Sequence, residues 1–483
     1  MYIGLDIGTS SVKAILLNED QDLISSQTAE LTVERPHPGW SEQDPESWWL
    51  ACETVLDALK ARAPAEFAAV KAIGLSGHMH GATLLDAAGK PLRPCILWND
   101  GRSGAQCAEL EAREPGFLTL GGNRVMPGFT APKLQWVREN EPDVFAKTKM
   151  VVLPKDYVRF KLTGEYVGDM SDSAGTLWLD VAKRDWSVKL LAATGLTRDN
   201  MPRLVEGSEI SGTVTGDLCS RWCFEAPPVV AGGGGDNAAS ACGVGAVEPG
   251  SAFVSLGTSG VLFVTNSAFS PNVESAVHAF CHAVPETWHQ MGVILSATDS
   301  LNWLSKTLNT PASELTGALG KVDGPSPVSF LPYLGGERTP HNDVKIRAGF
   351  YGISHETDNT ALTHAVLDGV AFALKDCLEA LSVAGTQVDR VLAVGGGSRS
   401  DTWLEIIASI LGVSVDVPID GDFGASLGAA RLAQAAALGE TRGVFERPAL
   451  KTSIDPNPTL TQSYAEAYSQ WRNLYPAIKQ AGF

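Results

Sequence analysis

The chain has 483 residues, of which 44% are hydrophobic and 19% are charged, a composition typical of a folded globular protein. Its formal net charge of −18 argues against a surface that binds nucleic acid or an anionic membrane. No run of about 18 apolar residues and no charged-then-apolar leader is found. We therefore expect a cytoplasmic protein of two domains, because a chain of this length exceeds one ordinary hydrophobic core.

The eight cysteines show no disulfide or zinc spacing. Cys219 and Cys223 form a lone C-x3-C pair, and no second pair accompanies it. His278, Cys281 and His282 would share one face if their segment were helical, but no carboxylate ligand stands at a recognisable spacing. We expect reduced thiols that lie mostly in the core, and packed rather than metal-bound histidines.

In the first half of the chain, strands and helices alternate. Residues 2–17 are predicted to form two strands joined by a tight turn. Asp44 before Pro45 is the N-cap and first-turn proline arrangement that begins a helix. The segments "AAVKAIGLSG" (68–77) and "CILWNDGR" (95–102) are predicted as strands that end in glycine and in polar residues. This alternation predicts an α/β domain.

The second half begins after a glycine-rich segment. "PPVVAGGGGDNAASACGVGAV" (227–247) is predicted as a short buried strand, a glycine run and a small-residue helix. A helix with one apolar face is predicted over 361–381. "RVLAVGGGSRSDTWLEIIASILG" (390–412) has the form strand, glycine triplet, helix, and "FGASLGAARLAQAAALG" (423–439) is a final small-residue helix. The second half is therefore also predicted to be α/β.

Both halves carry the same hairpin, in "GLDIGTSSVKAIL" (4–16) and "VSLGTSGVLFV" (254–264). Glycine lets the backbone approach a ligand closely, and threonine and serine hydroxyls donate to phosphate oxygens. The repeat predicts a duplicated fold, with domains 1–245 and 246–483, whose hairpins hold one polyphosphate from opposite sides of a cleft. The predicted contacts are Gly8, Thr9, Ser10, Gly257, Thr258 and Ser259, with Lys13 as a countercharge or a solvated strand lysine.

Two aspartates are candidates for the chemistry. Asp6 stands beside the first hairpin, where a carboxylate next to phosphate requires a divalent cation between them, so we expect it to hold hydrated Mg²⁺; the alternative is a turn cap. Asp236 follows four glycines at a predicted helix start. A helix cap needs no such run, whereas close approach by a ligand does, so Asp236 is predicted to be the general base for an attacking hydroxyl.

Two further sites follow from strand ends. The flat backbone of the glycine triplet at 395–397 suits an adenosine, with Ser398, Ser400 or Asp401 bonding its polar edges; it lacks the G-x-G-x-x-G spacing of a dinucleotide site, and a simple turn is the alternative. In the first half, apolar faces with nearby donors and acceptors, a combination that suits a polyhydroxylated sugar, follow two strands that are expected to end at one rim of the sheet. These are His78, Met79, His80, Trp98, Asn99, Asp100 and Arg102.

These segments resemble the FGGY carbohydrate kinase family, of the actin/hexokinase/Hsp70-type superfamily. "GFTAPKLQWVREN" (128–140) fits the first family signature, and "AGFYGISHETDNTALTHAVLD" (348–368) fits the second except at Ala361. The fourth glycine of "GGGGDN" is unusual. Within the family, the similarity is strongest to bacterial members that phosphorylate D-xylulose, in the segments "WSEQDPESWW" (40–49), "GHMHG" (77–81), "ILWNDGR" (96–102), "DMSDSAGTLWLD" (169–180) and "GGERTPHND" (335–343).

The resemblance implies an actin/hexokinase-like (ribonuclease H-like) two-domain fold with ATP in the interdomain cleft, which closes on its substrate. It implies transfer of phosphate from ATP to the terminal hydroxyl of D-xylulose, with Mg²⁺ as cofactor, and homodimers occur among family members. Asp236 would be the catalytic base and Asp6 would organise Mg²⁺ through water. The other implied contacts are Gly8, Thr9, Ser10, Ser11, Lys13, Gly257, Thr258 and Ser259 for phosphates, Gly396, Gly397 and Ser400 for adenosine, and Met79, His80, Trp98, Asp100, Arg102, Asp236 and Asn237 for the sugar.

Three alternatives stay open on the sequence. Another kinase of the same family would act on ribulose, a deoxy-ketose, gluconate or glycerol, although Met79-His80 stands where glycerol-type members typically carry Arg-Glu. An ATP-driven switch like actin or Hsp70 would share the hairpins but gives no reason for the Asp236 loop. A nicotinamide oxidoreductase is disfavoured by the missing dinucleotide spacing.

Overall fold

The computed structural model of the protein describes residues 1–419 and 424–482. Two seven-stranded sheets organise it, one built from the first half of the chain and the other from the second. We call the parts of the molecule around these sheets the N-terminal lobe and the C-terminal lobe. The predicted two-domain α/β class is confirmed.

The N-terminal lobe contains fifteen short strands and eleven helices. The strands are β1 (Tyr2–Ile7), β2 (Ser11–Leu17), β3 (Leu23–Glu30), β4 (Glu42–Gln43), β5 (Ala72–Gly77), β6 (Thr83–Leu85), β7 (Cys95–Ile96), β8 (Met150–Val152), β9 (Val167–Asp169), β10 (Leu179–Asp180), β11 (Asp185–Trp186), β12 (Arg203–Val205), β13 (Ile210–Thr213), β14 (Val229–Ala231) and β15 (Gly234–Gly235). The helices are α1 (Pro45–Arg62), α2 (Pro64–Ala68), α3 (Gly104–Arg113), α4 (Gly116–Thr119), α5 (Thr130–Asn140), α6 (Pro142–Lys147), α7 (Pro154–Thr163), α8 (Met170–Ala174), α9 (Val188–Ala193), α10 (Gly216–Trp222) and α11 (Asp236–Gly243).

The sheet of this lobe has the strand order β13-β14-β5-β1-β2-β3, with β15 also paired to β5. β1 runs antiparallel to β2, as the hairpin predicts, but parallel to β5, and both β14 and β15 run parallel to β5. Gly77 pairs with Ile7 on one side and with Gly235 on the other. The residues that follow these strands, Gly8, His78 and Asp236, therefore leave the sheet at one edge, where ligands bind in such folds.

The C-terminal lobe repeats this plan. Its strands are β16 (Ala252–Leu256), β17 (Gly260–Asn266), β18 (His278–Cys281), β19 (Trp288–Ile294), β20 (Ser329–Leu331), β21 (Gly349–Tyr351), β22 (Arg390–Val394), β23 (Ser414–Pro418) and β24 (Leu450–Ile454). Its helices are α12 (Thr298–Leu308), α13 (Ala312–Ala318), α14 (Asn359–Val383), α15 (Asp401–Leu411), α16 (Gly424–Leu438), α17 (Pro458–Arg472) and α18 (Leu474–Ala481). The order β18-β19-β17-β16-β22-β23-β24 makes β16 and β22 parallel neighbours, so the second hairpin and the glycine triplet also leave one edge together.

Helix α16 belongs to the second half of the sequence but packs against the N-terminal sheet and helix α11. A Cβ on Gly74 of β5 would lie 1.8 Å from the Ala429 carbonyl oxygen, and one on Gly428 would lie 1.6 Å from that of Ala239. The helix can approach this closely only because small residues face each other. Phe423, which the predicted helix included, lies outside the described residues.

One predicted element differs from the structure, and one segment left undecided by the sequence is settled by it. The strand expected over 95–102 is only β7, which pairs with β4 rather than joining the main sheet, so it does not end at the sheet rim beside β5. The segment with His278 and Cys281 is the strand β18, not a helix, and the two side chains do not share a helical face. All eight cysteines are free thiols, as expected. Among the residues that the structure describes, no helix is both long and apolar enough to cross a membrane.

Candidate active site

A cavity of about 290 Å³ lies between the lobes. From the N-terminal lobe it is lined by Met79, His80, Trp98, Met126, Gly128, Phe129, Asp236 and Asn237. From the C-terminal lobe it is lined by Ser255, Gly257, Ser259, Val261, His278, Phe280, Met291, Val293 and Arg338. The structure thus brings together the predicted base, the predicted sugar residues Met79 and His80, and the second hairpin.

Asp236 is the first residue of α11 and faces this cavity. Its Oδ1 accepts hydrogen bonds from the backbone N–H of Asn237 at 2.8 Å and from Asn237 Nδ2 at 3.0 Å. Burial, and after it the nearby charge of Asp6, raise the pKa of Asp236 to about 6. The carboxylate is therefore still ionised at neutral pH and is a stronger base than an ordinary aspartate, which suits removal of a proton from a hydroxyl.

The glycine run before Asp236 is explained by protein packing rather than by close approach of a ligand. A Cβ on Gly232 would lie 2.1 Å from the Glu206 carbonyl oxygen, and one on Gly233, whose φ is +73°, would lie 2.1 Å from that of Leu75. The loop lies where the sequence predicted it, but its glycines make room for neighbouring backbone, not for the ligand that was expected. They let the strand end pass between neighbouring backbones and so fix where Asp236 begins its helix.

Buried side chains hold this loop from behind. Arg159 on α7 is fully buried and donates to the carbonyl oxygens of Ala231 and Gly232, at 2.5 Å each. The backbone N–H of Gly235 donates to Ser171 Oγ at 3.1 Å. Both ends of the run are therefore tied to the N-terminal lobe, and the position of Asp236 depends on Arg159 and Ser171.

A buried charge cluster supports those two residues. Lys155 Nζ lies 2.6 Å from Asp156, 2.6 Å from Asp169 and 3.2 Å from Asp172. Asp156 also pairs with Arg159, and Asp169 accepts the hydroxyl of Ser171 at 2.5 Å. Burial raises the pKa of Asp172 well above its usual range. Removing one member would leave an uncompensated buried charge, at a cost of about 3–5 kcal/mol.

His80 follows β5 and has a positive φ of 70°. Its Nδ1 lies 2.7 Å from the Gly175 carbonyl oxygen, which can only accept, so this nitrogen carries the hydrogen. Burial, with Lys133 nearby, lowers the pKa of His80 to about 3, so the imidazole is neutral. The His80 carbonyl oxygen in turn accepts from Lys133 Nζ at 2.9 Å and from Thr130 Oγ1 at 3.1 Å. The loop on the sugar side is therefore held by the start of α5.

Lys133 belongs to the segment that fits the first family signature, and it is completely buried. Its Nζ also donates to the Gly128 carbonyl oxygen at 2.7 Å. Burial lowers the pKa of Lys133 to about 7. This signature therefore positions two cavity-lining loops and contributes Phe129 to the cavity wall, while the Lys133 side chain stays outside the cavity.

Trp98 lines the cavity, but Asp100 and Arg102 do not. Asp100 Oδ2 accepts from Arg102 Nη2 at 2.7 Å and from the backbone N–H of Ser41 at 2.6 Å. Arg102 also pairs with Glu42 and stacks on the ring of Trp40. Both charged side chains are buried in these bonds, so their predicted contact with the sugar is corrected here to a structural role.

The two hairpins have the predicted form. The turn of the first is closed by the Gly8 N–H, which donates to the Ser11 carbonyl oxygen at 2.9 Å, and Trp98 Nε1 donates to Thr9 Oγ1 at 3.0 Å. In the register of this hairpin, Lys13 on β2 lies opposite Asp6 on β1. In the second hairpin, Gly257 and Ser259 line the cavity.

Asp6 and Asp236 suit a divalent cation. Burial raises the pKa of Asp6, and the charge of Asp6 helps to raise that of Asp236, so the two carboxylates disfavour each other's ionised form. Within residues 1–419 and 424–482, no group of three or more His, Cys, Asp or Glu side chains could hold a metal ion. A cation here would therefore take its other ligands from water and phosphate oxygens, as Mg²⁺ commonly does.

The predicted adenosine residues line a second cavity, of about 540 Å³. Gly396, Gly397 and Ser400 face the helices α12 and α13 across it. The hydroxyl of Ser400 accepts from the Trp403 N–H as the N-cap of α15. The triplet is thus a strand-to-helix turn that also forms a cavity wall. Its contact with adenosine stays a prediction.

The sequence matches the FGGY family of carbohydrate kinases in both parts, the N-terminal domain over residues 1–243 and the C-terminal domain over residues 252–437. The chain belongs to this family. Membership of the FGGY kinases excludes an ATP-driven switch and a nicotinamide oxidoreductase as the function of the chain. The resemblance stated from the sequence is confirmed.

Several known FGGY kinases are similar over the full length. The xylulose kinase of Escherichia coli (strain K12) is 49% identical over 484 residues, covering 99% of each chain. Among solved structures, a xyloylose kinase from Brucella ovis is 56% identical with a TM-score of 0.98, covering 99% of each chain. The xylulose kinase from Rhodospirillum rubrum is 29% identical with a TM-score of 0.90, again over 99% of each chain.

Apart from Gly257 and Ser259 of the second hairpin, the C-terminal wall of the cavity in this FGGY kinase was not predicted from the sequence. His278 was predicted to be a packed histidine in a cluster with Cys281 and His282, and no role was predicted for Phe280. Arg338 lies in "GGERTPHND", a segment noted for its resemblance but given no role. The position of Arg338 between two glycines and a proline was the one feature of the sequence that could have indicated a functional role. Arg159 and Ser171 carry no local signal, because their partners are distant in sequence.

Proposed function

We propose that the protein is a xylulokinase, which transfers the terminal phosphoryl group of ATP to the terminal hydroxyl of D-xylulose and yields D-xylulose 5-phosphate. The observation that carries the choice of sugar is the 49% identity to the xylulose kinase of Escherichia coli over 99% of both chains. Met79 and His80 in the cavity support it, since they stand where a glycerol-type kinase would carry Arg-Glu.

Asp236 is the proposed catalytic base. Its carboxylate lies in the cavity at the seam between the lobes, and the second hairpin faces it from the other side. It would take the proton of the sugar hydroxyl as the oxygen attacks the phosphorus, while Asn237 keeps the carboxylate oriented. Met79, His80 and Trp98 would contact the sugar, together with Asn237.

The hairpins are proposed to hold the phosphates. Gly8, Thr9, Ser10 and Ser11 would donate backbone and hydroxyl hydrogens from one side, and Gly257, Thr258 and Ser259 from the other. Lys13 would offset phosphate charge from the strand beside Asp6. Gly396, Gly397 and Ser400 would contact adenosine, because they line the second cavity.

Asp6 is proposed to hold Mg²⁺ through water, because its carboxylate stands next to the first hairpin and to Asp236. When bound, the ion would neutralise phosphate charge that develops during transfer. Burial raises the pKa of Asp6, whereas a hydrogen bond from Ser76 and the nearby charge of Lys13 lower it and so favour the ionised form that a cation requires.

We further propose domains 1–245 and 246–483, a cytoplasmic location, and a homodimer as the assembly to test by light scattering. The division follows the two sheets, although helix α16 packs across to the first.

A substrate panel tests the proposed function. ADP release would be measured with D-xylulose, ribulose, a deoxy-ketose, gluconate and glycerol, and without sugar as the control. We expect kcat/KM for D-xylulose to exceed that for every other compound by at least about tenfold, a difference of about 1.4 kcal/mol. A clear preference for another sugar would refute the assignment to D-xylulose, while family membership would stand.

A further inference from the structure

The segment "GGERTPHND" (335–343) brings one charged side chain into the sugar cavity from the C-terminal lobe. The segment is fixed to β19 by the backbone N–H of Thr339, which donates to the Val293 carbonyl oxygen at 3.0 Å, and by Thr339 Oγ1, which accepts from the Val293 N–H at 3.0 Å. Glu337 and Asp343 pair their backbones in both directions at 2.8 Å. Arg338 is therefore presented to the cavity from a firmly held turn.

Glu337, the neighbouring carboxyl group, does not form an ion pair with Arg338. Its Oε1 accepts from the backbone N–H groups of Leu295 and Arg338, at 2.9 and 2.8 Å. Burial raises the pKa of Glu337 to about 8, so the group is mostly protonated at neutral pH. Among the residues that the structure describes, Arg338 forms no ion pair with a carboxylate; burial lowers its pKa, but a guanidinium stays protonated throughout the physiological range.

The protein partner of the guanidinium is a neutral imidazole. Asn123 Nδ2 donates to the carbonyl oxygens of Gly121 and Ala279, so its Oδ1 is left to accept from His278 Nδ1 at 2.9 Å. His278 Nε2 then carries the lone pair, and Arg338 Nη1 donates to it at 3.4 Å. One of the five N–H donors of Arg338 is used in this way, which leaves donors directed to a cavity shared with Met79 and His80.

We propose that Arg338 holds the carbonyl oxygen of the ketose and so makes the enzyme select ketoses over pentitols, an inference that rests on the proposed function. A guanidinium only donates and a carbonyl oxygen only accepts, so the two are fully matched. A hydroxyl at the same place could accept from the guanidinium, but its own O–H would need a separate acceptor that Arg338 cannot supply, and a buried site penalises a donor left unpaired. The bond is charge-assisted and therefore strong for a sugar contact.

The test compares Arg338→Met and Arg338→Lys with the wild type. Arg347→Met is the matched control, because Arg347 lies just beyond the same segment, is exposed, and donates to the carbonyl oxygens of Val344 and Ile346. KM would be measured for D-xylulose and ATP, and inhibition constants for xylitol and D-arabinitol, which carry a hydroxyl in place of the carbonyl. Melting temperatures would show whether each variant is folded.

We expect Arg338→Met to raise the KM for D-xylulose by about 10- to 100-fold, the scale of a hydrogen bond to a charged group, with the KM for ATP within about twofold. The binding preference for D-xylulose over the pentitols should fall toward one. Arg338→Lys, which keeps the charge but not the fork of donors, should give a smaller loss in the same direction and is read alone if the Met variant does not fold. Arg347→Met should behave as the wild type.

An unchanged KM for D-xylulose, an equal rise for ATP, or an equal loss for D-xylulose and the pentitols would overturn the proposal. Failure of the proposed function is read separately, on the wild type. If the wild type prefers another ketose, the comparison is made with that ketose and its own reduction products. If it acts only on compounds without a carbonyl, both proposals are refuted.

Discussion

The two hairpins share a Gly-Thr-Ser turn but differ in the residue two positions before its glycine. Asp6 stands two residues before Gly8, and Ser255 stands two residues before Gly257. Asp6 lies near the end of β1, and Ser255 lies near the end of β16. Each of these strands is the first of an antiparallel hairpin, which β2 and β17 complete. The N-terminal copy therefore carries a carboxylate where the C-terminal copy carries a hydroxyl.

The hairpins are also anchored differently. Thr9 is held by side chains of its own lobe, since its carbonyl oxygen accepts from Gln43 Nε2 at 2.7 Å and its hydroxyl from Trp98. Gly257 and Thr258 are held by the backbone at the start of α12, where Thr298 and Ala297 donate to their carbonyl oxygens at 2.9 and 2.8 Å. If the hairpins hold phosphate as proposed, the comparison indicates that only one of them carries an acid to organise a metal, and that this acid lies on the lobe that also carries Asp236.

Of the two exchanges between the hairpins, the larger effect is expected when the first hairpin is made like the second. Asp6→Ser removes the carboxylate proposed to bind Mg²⁺ through water, and loss of such an outer ligand typically weakens metal affinity or activity by about 10- to 100-fold. Titration of turnover with Mg²⁺ would measure it, with the KM for D-xylulose as the control. An unchanged requirement for Mg²⁺ would show that the difference between the hairpins has no bearing on the metal.

The pH profile tests the carboxylate pair on the N-terminal lobe. The pKa of Asp236 is raised to about 6, and the base must be deprotonated to accept a proton. We expect kcat/KM to fall about tenfold per unit as pH decreases below about 6 and to be level above it. In Asp6→Ser, loss of the neighbouring charge should move the inflection to lower pH. A wild-type profile that stays flat to pH 4.5 would contradict the assigned base.

The reverse exchange should have the smallest effect. Ser255→Asp adds a charge beside the second hairpin, where Ser255 lines the cavity. Repulsion between unit charges about 4 Å apart costs at least about 1 kcal/mol in water and more in a cleft, so the KM for ATP should rise at least about fivefold. Ser255→Asn, of similar volume without the charge, is the control. An equal rise in both variants would assign the effect to size.

The sequence predicted those parts of the site that depend on local sequence patterns. The hairpins, the strand before Asp236 and the helix after it depend on residues close together in the chain, and all were predicted correctly. The contact of Asp100 and Arg102 with the sugar was wrong, because it assumed that 95–102 joins the main sheet.

The remaining features depend on contacts between distant parts of the chain. Arg159 reaches the carbonyl oxygens of Ala231 and Gly232, and helix α16 packs on the sheet of the other lobe. Arg338 meets Met79 and His80 only when the lobes are assembled. No spacing rule links such residues, so the position of Arg338 in the cavity could be learned only from the structure.

The most direct test of the account is the turnover of Asp236→Asn. Asparagine has the same shape, and its side-chain oxygen can still accept from the Asn237 N–H, so the loop should keep its form. If Asp236 removes the proton of the sugar hydroxyl, kcat falls by about 10²–10⁴-fold while D-xylulose and ATP still bind with nearly wild-type affinity. A variant that phosphorylates D-xylulose at close to the wild-type rate would contradict the account.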